Sequence, residues 1–421
     1  MTHVATLQTP RWIHKCVPRF WKWMGSVALA LLIGAGSSHA QTFSVLYSFT
    51  DGTDGATLYG GLARDNAGNF YGTSVYGGSS AQAGTVFKID PSGNETTLHI
   101  FTGGPDGGNP QSTLLPDGTG GFFGTAAAGA NSDCTLSGGF SGCGTVFHLG
   151  KNGQFKVLHS FTGGRDGSNP IAGLTRDKQG NLYGVTIGGG KRNCQPVGGC
   201  GTIFRLDLAG NFTVLHAFTG GPDGGNPYGG LIVDPAGNLF GTTINGGDST
   251  CKCGVVFRLV GSTETVLHTF TGSDGDKPYG VLVRDSSGNL FGTTYGGGGW
   301  NSGEVFKLDK NRVETVLYSF MGGADGGNPI GGLVIDATGN LYGTTYGGGD
   351  LSCSGVYEDG CGVVFMVDVN STETVLHTFA ATFQDGIWPY GSLVRDAAGN
   401  LYGTTTDAGR GGFGTVFEVT P

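Results

Sequence analysis

The sequence predicts an all-β protein, a seven-bladed β-propeller with four antiparallel strands in each blade. Three features predict this fold: the composition, a set of landmarks that recurs every 50–60 residues, and the type of strand at each end of the repeat region. The 421 residues include 85 Gly, 26 Phe and 14 Tyr, and only 13% are charged. Aromatic side chains in this number indicate a packed core, which a disordered chain of similar glycine content lacks.

Residues 1–40 are predicted to be a signal peptide. They contain four basic residues and no acidic residue: Arg11, Lys15, Arg19 and Lys22. A short apolar run and the small-x-small sequence Ser38-His39-Ala40 follow. The run is too short to cross a bilayer comfortably, so cleavage after Ala40 is favoured over a membrane anchor. The remaining residues, 41–421, are predicted to form one exported domain without a membrane span, a monomer in the periplasm or outside the cell.

Three landmarks each occur seven times after residue 41. One is a V-L-[HY]-x-F segment with one variant copy, Thr97-Leu98-His99-Ile100-Phe101; the second is G-N-[LF]-[YF]-G with one degenerate copy, and the third is [VI]-F. The closing Phe of the first landmark recurs at Phe49, Phe101, Phe161, Phe218, Phe270, Phe320 and Phe379. Periods of this size indicate solenoids, propellers or arrays. A parallel β-helix has shorter coils, and one period is too small for a separate sandwich.

Each period contains four strand-like segments rich in Val, Leu, Phe, Tyr and Thr. In one clear copy they are 279–285, 289–294, 303–308 and 314–320, each bounded by Gly, Asp or Asn. We refer to them in order as segments a, b, c and d. Four antiparallel strands per repeat are typical of propeller blades.

The ends of the repeat region predict a closed ring. The region opens on a d-type segment, 43–49, and ends on a c-type segment, 414–419. The last repeat therefore lacks a d strand, which the N-terminal segment can supply. This 3+1 closure leaves no incomplete blade with an unpaired edge.

Antiparallel alternation places the b–c and d–a loops on one face and the a–b and c–d turns on the other. The a–b turns share the pattern D-x-x-G-[NG], whereas the b–c loops vary from 8 to 17 residues. Variable loops on a rigid scaffold usually bear function. Eight cysteines fall in the four longest b–c loops, which predicts disulfides within loops. The pairs are Cys134/Cys143, Cys194/Cys200, Cys251/Cys253 and Cys353/Cys361, and the closely spaced third pair is the weakest prediction.

The recurrent polar residues are predicted to build the fold rather than a catalytic or metal site. Every d–a loop contains Asp-Gly, usually followed by Pro. A rigid turn explains this motif better than Ca²⁺ binding, since isolated carboxylates make poor calcium ligands; a calcium role stays open, and no other cofactor is expected. Five histidines share one d-segment position, and none has a nearby Ser or Cys for a catalytic triad.

The repeat unit resembles the GloVer tandem repeat of exported bacterial "choice-of-anchor" proteins. The pattern G-G-L-x-x-D-x-x-G-N-L-Y-G-T-T-x-x-G appears at 331–348. The patterns G-x-V-F and E-T-V-L-H-x-F follow within 362–379, and the resemblance covers about 43–419. It implies bacterial export and a propeller-like fold but no particular activity. Family members often end in an anchoring tail, and since the sequence stops at Pro421, retention by such a tail is not expected.

Three function classes are open: a binding or scaffold protein for a glycan or a protein, a polysaccharide-active lyase or glycoside hydrolase, and a structural envelope component. Binding is favoured, because no catalytic constellation stands out and several residues on the variable face break the repeat. Removal of the four leader cations takes the net charge from −9 to −13, which disfavours nucleic acid and favours a neutral or cationic polymer. The predicted ligand-binding residues are Trp300, Trp388, Tyr357, Phe140, Arg410, Lys191 and Arg192.

Overall fold

The computed structural model describes residues 41–131, 134, 141–191, 198–353, 360–382 and 384–421. Seven antiparallel sheets follow one another along this part of the chain and form a ring, the predicted seven-bladed β-propeller. The predicted signal peptide lies outside the described residues. No helix within them has the length and apolar character that crossing a bilayer requires.

The strands of the first three blades have the following bounds. Blade 1 consists of β2 (Ala63–Arg64), β3 (Phe70–Ser74), β4 (Thr85–Ile89) and β5 (Glu95–Ile100). Blade 2 consists of β6 (Leu115–Pro116), β7 (Phe122–Ala126), β8 (Thr145–Leu149) and β9 (Phe155–Ser160). Blade 3 consists of β10 (Thr175–Arg176), β11 (Leu182–Thr186), β12 (Thr202–Leu206) and β13 (Phe212–Ala217).

The remaining blades repeat this order, and the last one differs. Blade 4 consists of β14 (Ile232–Val233), β15 (Leu239–Thr243), β16 (Val255–Val260) and β17 (Thr263–Thr269). Blade 5 consists of β18 (Val283–Arg284), β19 (Leu290–Thr294), β20 (Glu304–Leu308) and β21 (Glu314–Ser319). Blade 6 consists of β22 (Val334–Ile335), β23 (Leu341–Thr345), β24 (Val363–Val367) and β25 (Glu373–Thr378). Blade 7 contains β26 (Ile387–Pro389), β27 (Val394–Arg395), β28 (Leu401–Asp407), β29 (Thr415–Thr420) and the N-terminal β1 (Thr42–Ser48).

The ring closes as the sequence predicts. Strand β1 pairs antiparallel with β29, from Thr42 opposite Thr420 to Ser48 opposite Thr415. The ring of Phe43 also stacks on His377 of blade 6, with 3.7 Å between centroids. The N-terminal strand therefore supplies the outer strand of blade 7 and packs against the preceding blade.

The innermost strands are much shorter than the sequence suggests. The predicted segment 279–285 forms only the two-residue strand β18. The residues before it run close to the next blade instead: a Cβ added to Gly280 would lie 2.7 Å from the carbonyl oxygen of Gly331. The close approach of neighbouring blades around the axis favours glycine as the first residue of the Gly-Gly-Leu motif, although blades 2 and 3 have Ser112 and Ala172 there.

Hydrogen bonds from threonines of the b strands join some of the blades to the first segment of the next blade. The Thr73 hydroxyl of blade 1 donates to the Ser112 carbonyl of blade 2, at 3.1 Å. The Thr404 hydroxyl of blade 7 donates to the Gly60 carbonyl of blade 1, at 3.0 Å. The same contact thus occurs at an internal blade boundary and at the boundary where the ring closes.

The core lies between adjacent blades and repeats with them. Each blade contributes a completely buried Phe from its c strand, such as Phe87, and a second one after its d strand, such as Phe101. A Cβ added to the b-strand Gly72 would lie 2.5 Å from the Cζ of Phe87. The glycine of the Tyr-Gly-Thr motif therefore makes room for the c-strand ring of its own blade.

Candidate functional site

The b–c and d–a loops meet on one face of the ring, as predicted. Isolated bridges join the two loops of a blade, for example between Gly108 and Ala128 and between Gly327 and Gly347. We call this the variable face. The a–b turns on the opposite face are closed by their aspartates, whose carboxylates accept backbone and Asn side-chain hydrogen bonds.

The Asp-Gly motif of the d–a loop forms a turn in which the carboxylate is used internally. Asp325 accepts hydrogen bonds from the Tyr318 hydroxyl at 3.1 Å, the Met321 amide at 2.8 Å and the Gly323 amide at 3.2 Å. In five blades a d-strand His replaces the Tyr, as in His268, whose Nε2 lies 3.0 Å from Asp274. These contacts give the shared histidine position a structural role, while calcium binding at the motif stays the less favoured alternative.

Disulfides within the b–c loops are present where the structure describes them. Cys134 is bonded to Cys143, Cys251 to Cys253, and Cys353 to Cys361. Cys200 is also disulfide-bonded, and its predicted partner Cys194 lies outside the described residues.

A cavity of about 300 Å³ lies on the axis of the propeller. The first segments of all seven blades contribute to its wall, which includes Gly60, Ser112 and Ala172. Four tyrosines belong to this lining: Tyr59, Tyr228, Tyr279 and Tyr390. Each tyrosine lies at the start of a segment a, in blades 1, 4, 5 and 7. The ring therefore brings these four side chains together at the axis. The described residues that line the cavity include no charged side chain.

These tyrosines form a connected aromatic cluster. The hydroxyls of Tyr228 and Tyr390 lie 2.6 Å apart, which joins blades 4 and 7 across the axis. The ring centroids of Tyr59 and Tyr390 are 4.6 Å apart, as are those of Tyr228 and Tyr279.

Two further aromatic residues extend the cluster towards blade 6. Tyr346 lies at 6.2 Å from Tyr390 in an edge-on arrangement and stacks on Trp388 at 5.9 Å. All six side chains are partly buried. We call the set the aromatic mouth: Tyr59, Tyr228, Tyr279, Tyr346, Trp388 and Tyr390.

The environment keeps the hydroxyls of the aromatic mouth protonated. Burial, with a smaller contribution from neighbouring tyrosines, raises the pKa of Tyr59 to about 12. Burial also raises the pKa of Tyr279 to about 12, with further contributions from Tyr228 and Asp276. The pKa of Tyr346 is raised by burial and by the charge of Asp407. Neutral rings with hydrogen-bonding hydroxyls suit ligands that are partly apolar and partly polar.

Trp388 occupies a position that is usually Asn. Its φ is 58°, within the left-handed region that Asn109, Asn169, Asn226 and Asn328 also adopt. Its indole N–H donates to the Gly360 carbonyl at 3.0 Å, much as the Asn226 amide donates to the Gly199 carbonyl at 2.9 Å. Trp388 therefore joins two blades and also contributes a ring to the aromatic mouth.

Three of the other predicted ligand-binding residues are described by the structure, and they lie apart from the aromatic mouth. Trp300 is 65% exposed in the loop between β19 and β20. Lys191 is exposed after β11, and Arg410 lines a separate groove of about 620 Å³ beside β1. Phe140, Arg192 and Tyr357 lie outside the described residues. A ligand-binding role for these residues stays a prediction.

The sequence reasoning missed the five tyrosines of the aromatic mouth. Four of them directly follow the usual Pro position of the Asp-Gly motif, where the other copies have Gln111, Ile171 and Ile330. The residue at this position varies from copy to copy, although the residues on either side of it are nearly constant. That variation could have indicated a functional position. The repeat pattern alone does not show that this position meets its equivalents at the axis.

A buried glutamate in blade 5 also breaks the repeat. Glu304 is 2% exposed at a position where four blades have a buried Thr. Its Oε1 accepts a hydrogen bond from the Ser319 hydroxyl at 2.7 Å, and burial raises the pKa of its carboxyl group. Its Oε2 has no hydrogen-bond partner among the described residues.

Comparison with known proteins identifies a repeat family and a general fold. The sequence profile of the Gloeobacter/Verrucomicrobia repeat matches residues 132–357. No curated protein matches the chain.

Two solved structures are similar in fold. The extracellular domain of a proposed one-component system from B. thetaiotaomicron has 10% identity and a TM-score of 0.54, and the match covers 89% of this chain but 40% of that one. A proposed 6-phosphogluconolactonase from Bacteroides uniformis has 15% identity and a TM-score of 0.50, with 82% and 89% of the two chains covered. At such identities the similarity extends to the propeller fold and no further.

Proposed function

The chain belongs to the Gloeobacter/Verrucomicrobia repeat family, and we propose that it is an exported binding protein that holds a glycan at the aromatic mouth. The observation that supports this most directly is the convergence of five tyrosines and Trp388 on one end of an axial cavity. Elsewhere the repeat places similar residues in similar positions, whereas these aromatic residues occur in only some blades. A departure from symmetry of this kind is expected of a ligand site.

The chemistry of the mouth fits a sugar better than a fully apolar ligand. Aromatic rings can cover the apolar faces of a pyranose, and the tyrosine hydroxyls can hydrogen-bond to its hydroxyl groups. The cavity of about 300 Å³ is at the lower end of the size range of ligand sites. A single sugar unit or the end of a chain therefore fits, with the rest of the glycan on the variable face.

Export is part of the proposal. The basic and apolar leader with its small-x-small sequence supports it, as do the disulfides of the b–c loops, since such bonds persist mainly in oxidising compartments. Sequencing the N-terminus of the protein secreted by a bacterial host tests this part, with Gln41 expected as the first residue. An N-terminus at Met1 would contradict it.

The test of the binding site begins with an array of oligosaccharides, followed by calorimetry on those that bind. Tyr346→Ala is the diagnostic variant, because this side chain is half-buried and contacts only the mouth aromatics Trp388 and Tyr390 among the ring pairs described. We expect at least about tenfold weaker binding, as for a central aromatic contact. Trp300→Ala is the matched control and should leave the affinity unchanged.

Two results would contradict the proposal. One is an array on which no glycan binds. The other is a bound glycan whose affinity falls in Trp300→Ala and not in Tyr346→Ala, which would place the site on the outer loops.

A further inference from the structure

One corner of the aromatic mouth has an acidic residue that no other blade has. Asp407 is the last residue of β28, and its backbone pairs with Ile387, next to Trp388. The equivalent residues in the other blades are Tyr76, Ala128, Gly188, Asn245, Gly296 and Gly347, each of which forms the same bridge to its d–a loop. The carboxylate is thus a property of blade 7 and not of the repeat.

Four aromatic rings of the mouth form a continuous wall. Trp388 stacks on Tyr346, Tyr346 packs edge-on against Tyr390, and Tyr390 packs against Tyr59. Burial raises the pKa values of Tyr59 and Tyr346, and the negative charge of Asp407 adds to both shifts. Strand β28 also brings Asp407 to the Trp388 end of this wall, since the hydroxyl of Thr406, the residue before it, donates to the Trp388 carbonyl at 3.1 Å.

The charge of Asp407 is not neutralised within the described part of the chain. No lysine or arginine there forms an ion pair with it, whereas Asp276, the acidic residue near Tyr279, lies 3.4 Å from the Nζ of Lys277. The Oδ1 of Asp407 accepts a hydrogen bond from the Ala408 amide at 2.6 Å. The second carboxylate oxygen remains available for an external partner.

We infer that Asp407, Tyr59, Tyr346, Trp388 and Tyr390 form a subsite for an ammonium group, so that the bound glycan includes a sugar with a free amine. The negative faces of aromatic rings attract a cation, and a nearby carboxylate adds a direct ionic contact. An anionic sugar is disfavoured by the same groups and by the net charge of the protein, −9 before and −13 after removal of residues 1–40. This inference rests on the proposed binding function and specifies the class of ligand.

The experiment compares two oligosaccharides that differ in one group. They are a glucosamine tetramer and an N-acetylglucosamine tetramer, titrated by calorimetry into the protein at mildly acidic pH, where the free amines are protonated. We expect the glucosamine tetramer to bind about tenfold more tightly, as expected for one ionic contact in a partly desolvated site. In Asp407→Asn this preference should disappear, while the acetylated tetramer should bind as before.

Asp276→Asn is the matched control, since it removes the same charge near Tyr279, another tyrosine of the mouth, from a residue that already has a cationic partner. The preference should survive in this variant. Equal binding of the two tetramers by the parent protein, or a preference that persists in Asp407→Asn, would overturn the inference and leave the proposed function intact. Binding of neither tetramer overturns the inference as well, and an empty glycan array would then reject the proposed function separately.

Discussion

At the scale of single residues, many of the recurrent glycines are explained by neighbouring atoms that leave no room for a side chain. The b-strand glycines leave room for a buried c-strand Phe of the same blade. The first glycines of the a segments leave room for a backbone carbonyl of the next blade. Because protein interiors are packed as densely as organic crystals, even one added methyl group is felt at such positions.

Gly343→Ala tests this explanation. Its added Cβ would lie 2.7 Å from the Cζ of Phe365, and we expect a loss of about 1–3 kcal/mol in the free energy of unfolding. Gly299→Ala is the control, since no atom lies within 4 Å of its added Cβ. Urea denaturation measures both. The double variant Gly343→Ala/Phe365→Leu should recover part of the loss, and equal stabilities of the two single variants would refute the packing explanation.

Glu304 predicts a pH dependence with a definite sign. Because burial raises the pKa of this carboxyl group in the folded state, folding favours its protonated form. Its destabilising effect is therefore absent well below the unfolded-state pKa of about 4.3 and develops as the pH rises above it. Glu304→Thr, which installs the residue of four other blades, should raise the stability by about 1 kcal/mol near neutral pH and by little at acidic pH. Thermal melts across this range check it, and a gain that grows towards low pH would contradict it.

At the scale of elements, the strands of the repeat differ in how well the sequence predicts them. The b, c and d strands were predicted nearly to the residue, because alternation and β-branched residues define them locally. The a strands were overestimated, because residues such as Gly280 use their backbone to contact the adjacent blade. A contact between blades cannot be deduced from the pattern within one blade.

The strand that closes the ring gives a prediction for an element. Removal of residues 41–50 leaves β29 without its outer partner and removes the stack of Phe43 on His377. We expect the free energy of unfolding to fall by at least about 3 kcal/mol, together with aggregation through the exposed edge. Size-exclusion chromatography and thermal melting measure the effect. A synthetic 41–50 peptide should restore stability and a scrambled one should not; a truncated protein that melts like the parent and stays monomeric would contradict the closure.

At the scale of the whole molecule, the sequence was sufficient for the fold and insufficient for the site. Seven copies of each landmark and a strand of complementary type at each end leave few arrangements other than a closed ring. The aromatic mouth was missed because its residues are up to 331 positions apart, from Tyr59 to Tyr390, and meet only at the axis. Trp388 was identified because tryptophan is rare after residue 40, whereas tyrosine is common throughout the repeats.

The disulfides predict how the whole molecule responds to reduction. Each described bridge closes a short segment within one loop, so its loss should cost no more than about 2–3 kcal/mol and should loosen the variable face without opening the ring. Peptide mapping without reductant should find Cys134–Cys143, Cys353–Cys361 and a Cys194–Cys200 bridge. Far-ultraviolet circular dichroism should be unchanged after reduction. A bridge between different blades would contradict the assignment of the loops.

The pairing of β1 with β29 also has a consequence for the order of events during synthesis. Residue 48 pairs with residue 415 and residue 42 with residue 420, so β1 must wait until all the other blades have been synthesised before its partner exists. Every shorter nascent chain has an unpaired strand at its start and an open row of blades behind it. The ring therefore cannot close before β29 has been made, and a chain interrupted earlier has an edge that proteases and chaperones can recognise.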